Sequence, residues 1–122
     1  MNKYSKEAKE KYDNTESYQE YLEKTKNYSN DKWNDLTKEM NNILQEFVLK
    51  KEEGFSSDSI DVQNLVEKLQ NFITKNYYLC TKDILANLGK MYVEDIRFKN
   101  NIDKFGEGTS VFISSAIKVF CQ

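Results

Sequence analysis

Apolar side chains recur at three- and four-residue steps along most of this chain, and polar runs with turn formers divide the recurrences into helix-sized blocks. The longest block starts at Ser29, a natural N-cap. It carries Trp33, Leu36, Met40, Ile43, Leu44, Phe47 and Val48 on one face and stops at Gly54. After Gly54-Phe55-Ser56-Ser57, Asp58 is the expected cap of a second long helix with Val62, Leu65, Val66, Leu69, Phe72 and Ile73 inward, ending at Asn76 or Tyr77. Thr81 caps a third, whose stripe is Ile84, Leu85, Leu88 and Met91. Asp95 caps a fourth, from Ile96 to about Lys104. The last block, Thr109 to Phe120, is rich in β-branched residues and has strand propensity, but a lone strand would have no partner in this setting, so it reads as helix.

The first 28 residues follow a different pattern. They hold five of the eight tyrosines (Tyr4, Tyr12, Tyr18, Tyr21 and Tyr28), one leucine, Leu22, and no isoleucine, valine or phenylalanine. Two short helices fit, Ser5 to Tyr12 and Glu16 to Tyr28, separated by Asp13-Asn14-Thr15. Such a segment buries little aliphatic surface to offset its ordering entropy. Two readings stay open, a mobile lid that docks onto something and an exposed helix pair with no ligand role. The expected division is therefore a lid over 1–28 and a helical core over 29–122, within one domain.

Composition narrows the class. The chain has 122 residues, no proline and four glycines, which favours an all-α protein of five to seven helices. The formal charge is −2, and Arg97 is the sole arginine among 18 basic residues, so no concentrated basic surface predicts contact with nucleic acid. No apolar run is long enough for a membrane span and no apolar leader is evident, which predicts a cytoplasmic protein. Cys80 and Cys121 form no Cys-x-x-Cys pattern and are expected to stay reduced.

Histidine is absent, removing the usual general base, the proximal haem ligand and the commonest zinc ligand. Glu52-Glu53 and Glu94-Asp95 are sequence neighbours and do not face each other on a helix, so they make poor acid–base pairs. No catalytic mechanism, cofactor or metal is predicted. Two residues keep open roles: Trp33 as core or as a pocket wall, and Cys80 as a buried hydrophobe or as a thiolate activated before a helix N-terminus.

The stretch Leu88-Gly89-Lys90-Met91-Tyr92-Val93-Glu94-Asp95-Ile96-Arg97-Phe98 resembles the Leu-Gly-x-Met-Tyr-Val-x-Asp-x-Arg-Phe signature of TipAS domains, the antibiotic-recognition domains of MerR-type activators. The likeness extends to Asn101-Ile102-Asp103, to Asn76-Tyr77-Tyr78-Leu79-Cys80, to Tyr28-Ser29-x-x-x-Trp33 and to Tyr12-x-Asn14-Thr15-x-x-Tyr18. It implies a globin-like helical fold without haem, a cleft for bulky, largely apolar, multicyclic antibiotics of the thiopeptide kind, and an N-terminal segment that closes over the ligand. DNA binding and dimerisation in such activators belong to a winged helix and coiled coil, so this chain resembles the sensor half, a monomer by itself. It fits either an effector domain or a drug-sequestering protein.

The resemblance also frames a departure. Where the thiopeptide receptor traps its ligand through a cysteine, this chain has Asn87, and an amide cannot supply the thiolate for conjugate addition. Leu69 and Tyr77 stand where the receptor has histidines, implying a more apolar cleft. The expected ligand-binding set is Tyr18, Tyr21, Tyr28, Trp33, Cys80, Ile84, Asn87, Met91 and Tyr92, with the Leu88–Phe98 corner as the cleft floor. The alternative from another class is a protein-interaction module accepting an amphipathic helix in the same groove.

Overall fold

A computed structural model describes residues 16–122. Among them are six helices and no strand: α1 (Glu16–Thr25), α2 (Asn30–Glu52), α3 (Ile60–Asn76), α4 (Lys82–Glu94), α5 (Ile96–Asp103) and α6 (Thr109–Phe120). The expected helix from Ser5 to Tyr12 and the turn Asp13-Asn14-Thr15 lie outside the described residues.

The caps follow local chemistry. Ser29, Thr81 and Asp95 each accept a backbone N–H from the first turn, from Lys32, Ile84 and Arg97 respectively. Helix α3 corrects one expectation, because its cap is Ser59, which accepts from Val62 N, while Asp58 accepts from the Ser56 hydroxyl instead. Helix α1 ends at Thr25 and not at Tyr28. Gly54 takes φ +89, a left-handed conformation that suits glycine just past the end of α2.

Helix α6 is the centre of the packing, touching α2, α3, α4 and α5. Its β-branched residues do not make it a strand, since Ile113, Ala116 and Ile117 are buried against neighbouring helices and only a helix satisfies its own backbone there. Its approach to α4 is close: a β-carbon on Gly89 would lie 3.0 Å from Ile117 Cγ2, so glycine in the Leu88-Gly89 pair permits helix contact.

The start of α6 is completed from a distance. Gly108, its N-cap, has φ +82 and no side chain to offer. Asp103 from the end of α5 accepts Ser110 N–H at 2.7 Å and Lys99 Nζ at 2.8 Å. Burial opposes its charge, but those donors win and hold the carboxyl below its ordinary range.

The core is one cluster: Leu36, Ile43 and Phe47 of α2, Val62, Val66, Leu69, Phe72 and Ile73 of α3, Leu85 and Tyr92 of α4, Ile102 of α5, and the inner face of α6. Burying each large aliphatic or aromatic side chain contributes about 1.5–3 kcal/mol. Helix α1 adds no buried residue to it.

Candidate ligand-binding site

Between α1, α2, the link after α3 and α5 lies a cavity of about 500 Å³. That is within the range of small-molecule sites, roughly 300–1,000 Å³. Leu36, Met40 and Leu44 form one wall from α2, continued by Thr37 and Asn41 on the same helix. Tyr77 and Tyr78 come from the link after α3, and Ile84 from α4. Phe98, Asn101, Lys104 and Phe105 come from α5 and its end, and Ser17, Tyr18 and Tyr21 from α1.

The walls differ in how they are held. Those of α2 are the edge of the core: Leu36 is 2% exposed and Leu44 8%, so they are fixed by packing on their other sides. Helix α1 is held by tethers and rings. Leu79 N–H donates to Glu20 Oε1 at 2.9 Å, Lys24 Nζ to the Thr74 carbonyl at 2.6 Å, and, just past the helix, the Tyr28 hydroxyl to the Asn76 carbonyl at 2.6 Å. The Leu79 N–H, with help from Lys24, keeps the Glu20 carboxyl below its ordinary range.

Tyr77 joins the two regions. Its ring stacks on Tyr21 at 6.2 Å and on Trp33 at 6.2 Å, and meets Phe72 edge-on at 5.9 Å, so α1, α2 and core share one aromatic contact point. Tyr18 stacks on Tyr21, and Tyr28 meets Trp33 edge-on at 5.3 Å. Burial, with smaller effects from Tyr21, Tyr28 and Glu39, pushes the Tyr77 hydroxyl up to about 12, so it is protonated and can donate.

Of the expected binding residues, Tyr18, Tyr21 and Ile84 stand on the cavity wall. Tyr28 and Trp33 are half-buried, and Trp33 reaches the wall through its stacking on Tyr77. Asn87 is exposed, Met91 is half-buried, Tyr92 is a core residue, and none of the three lines the cavity. The Leu88–Phe98 corner contributes one wall residue, Phe98. Elsewhere in the corner Tyr92 is in the core, Leu88 packs against it and Ile96 is exposed, and Asp95 holds the Arg97 side chain through two bonds of 3.0 and 2.7 Å.

The thiolate reading of Cys80 is overturned. The side chain is 2% exposed, and burial, with the nearby Cys121, pushes the thiol up to about 11 despite its place before α4. Cys80 is a small buried hydrophobe whose backbone fastens the link: its N–H donates to Thr74 Oγ1 and its carbonyl accepts from Gln70 Nε2.

Phe98 belongs to the expected cleft floor and Tyr77 to an expected cleft position, and the apolar wall residues that sequence reasoning missed are Leu36, Met40 and Leu44, which it placed on a helical stripe, together with Tyr78 and Phe105. The adjacent tyrosines Tyr77-Tyr78 in a short link were the available signal, because aromatic pairs outside a helical stripe have no packing face assigned to them. Among the described residues no group of three or more metal-ligating side chains occurs, and no helix is long and apolar enough to cross a membrane.

An all-helical domain with an aromatic, ligand-sized cavity closed on one side by a lightly held helix is a small-molecule-binding domain in form. The chain belongs to the TipAS antibiotic-recognition domain family, whose model matches residues 4–120. It is 32% identical over 114 residues to the HTH-type transcriptional activator TipA of Streptomyces coelicolor, covering 93% of this chain and 45% of that protein. It is 30% identical over 119 residues to the HTH-type transcriptional activator mta of Bacillus subtilis, covering 98% of this chain and 45% of that one. The chain thus spans less than half the length of these relatives. A structure of TipAS from Streptomyces lividans in complex with the thiopeptide nosiheptide superposes with a TM-score of 0.88 at 30% identity, over 98% of this chain and 84% of that one. The antibiotic-binding domain of a TipA-class multidrug resistance transcriptional regulator superposes with 0.67 at 29% identity, over 70% and 92%.

Proposed function

We propose that this domain binds bulky, largely apolar antibiotics of the thiopeptide kind in the cavity between α1 and α2, with the 1–28 segment as a lid over the 29–122 core. The observation that carries the reading is the unequal construction of that cavity. Three walls are extensions of a packed core and the fourth is a helix without a buried residue. A ligand that fills the space supplies α1 with the apolar contact it otherwise lacks, so binding and lid ordering are one event.

Capture is reversible. Asn87 is exposed and has no nucleophile to offer, and the Cys80 thiol is buried and protonated. The domain serves as the sensor of a MerR-type regulator in the cytoplasm, or sequesters the drug by itself, as a monomer without contacting DNA. It is not an enzyme on this reading.

Trp33 reports the site because it stacks on Tyr77. Titration with a thiopeptide is expected to change Trp33 fluorescence in a saturable way, with Tyr77→Ala weakening binding about tenfold or more. Absence of any change at saturating ligand, with no shift of the amide resonances lining the cavity, rules out this ligand class. Recovery of a tight amphipathic-helix partner in the same groove then favours a protein-interaction module.

A further inference from the structure

Among the described residues the cavity wall is charged in one sense. The chain has 20 acidic residues against 18 basic, yet no aspartate or glutamate stands among the described wall residues, and Lys104 is the one ionic side chain there. Three acids on the elements that build the wall turn to other partners. Glu20 accepts from Leu79 N and pairs with Lys24, Asp95 holds Arg97, and Asp103 holds Lys99 and Ser110 N. Glu39 is the weakest of the influences acting on Tyr77 and does not line the cavity.

Lys104 is differently placed. Its ammonium lies 5.5 Å from the Phe105 ring centroid, and it takes no part in the ion pairs among the described residues. The neighbouring carboxylate, Asp103, is already occupied by Lys99 at 2.8 Å. An aromatic cavity that selects cationic drugs needs a carboxylate to replace water around the cation, because leaving a charge poorly solvated beside apolar walls is costly. Here the wall offers a cation, amide side chains from Asn41 and Asn101, and aromatic faces.

We infer that the cavity discriminates by charge, preferring aromatic ligands that carry a carboxylate or another single negative group over cationic ones of the same shape, with Lys104 as the selecting residue. This rests on the cavity being the ligand site. The preference is modest in the open state, since Lys104 is exposed and an exposed ion pair contributes little. It grows if the lid closes and water is excluded.

The test uses three probes with one ring system: an anthracene carboxylate, the matching carboxamide and the matching aminomethyl compound, each titrated into the full chain at low salt. The carboxylate is expected to bind roughly tenfold tighter than the ammonium probe and the carboxamide in between. Raising the salt should shrink that ratio. Lys104→Gln should bring the two charged probes together, and Lys104→Glu should invert their order. If the carboxamide binds but the charged probes do not differ, or the order survives Lys104→Glu, charge selection is wrong and the cavity stands. If none of the three binds, and a thiopeptide also fails, the cavity is not the ligand site and the inference falls with it.

Discussion

Helices α1 and α6 are similar in length, ten and twelve residues, and have opposite fates. Helix α6 is apolar on nearly every side, touches four other helices and buries five residues. Helix α1 has polar side chains on most of its surface, leaves Leu22 42% exposed and buries none. The contrast is between a helix built into the packed core and a helix laid on its surface. Packing, which is cooperative and non-directional, holds the first. A few hydrogen bonds and ring contacts, each contributing about 0.5–1.5 kcal/mol, hold the second.

The comparison breaks most visibly in the core. Phe47 is wholly buried, and Phe47→Ala should lower stability by about 3–5 kcal/mol in urea unfolding. Tyr21→Ala, on α1, should leave the unfolding midpoint nearly unchanged and weaken ligand binding about tenfold by calorimetry. Equal effects of the two variants on stability would erase the distinction.

Asp103 tests the fixed region through pH. Its folded carboxyl is held below the ordinary value of 3.8, so its stabilisation is present above that value and is lost as pH falls through the folded one. Asp103→Asn should cost about 1–2 kcal/mol at neutral pH, the size of a lost helix cap, and the two proteins should converge in acid. A constant difference down to the acid limit would assign the loss to packing instead.

Glu20 makes the smallest claim. Its carboxyl is also held low, here by Leu79 N–H, so its tether is present above about 4.5 and is released as pH falls through the folded value. Glu20→Gln should speed amide exchange within α1 at neutral pH without changing exchange in α2 to α6. A matched change in the core helices would contradict that independence.

Much of the fold was legible because helix signals are local. Ser29, Thr81 and Asp95 cap where the sequence indicates, and the apolar stripes of α2, α3 and α4 supplied much of the core. The error at Asp58 arose where Ser56-Ser57-Asp58-Ser59 offers several caps in a row. The choice depends on where Val62 must face, which is a tertiary matter. The last helix was legible only by elimination, since its residues favour a strand.

The site was less legible for a physical reason. A stripe residue such as Leu44 looks the same in sequence whether all its sides meet the core or one edge meets a cavity. Phe98 and Phe105 face the cavity because the fold sets α5 and its end around the same space as Leu36, Met40 and Leu44 of α2, a non-local event without a local mark. Tyr18 and Tyr21 were readable because an aromatic pair in a helix whose one large aliphatic residue is Leu22 has little to do except meet rings elsewhere. Asn87 and Cys80 entered through family likeness, and burial assigned them apart, one to solvent and one to the core.

Helix α1 is proposed to be held loosely until a ligand completes its contacts. Amide hydrogen exchange of the free and thiopeptide-saturated protein tests this directly. The expected result is fast exchange across Glu16–Thr25 in the free protein and marked slowing on binding, with α2, α3 and α6 strongly protected throughout. Strong, equal protection of α1 in both states would contradict it.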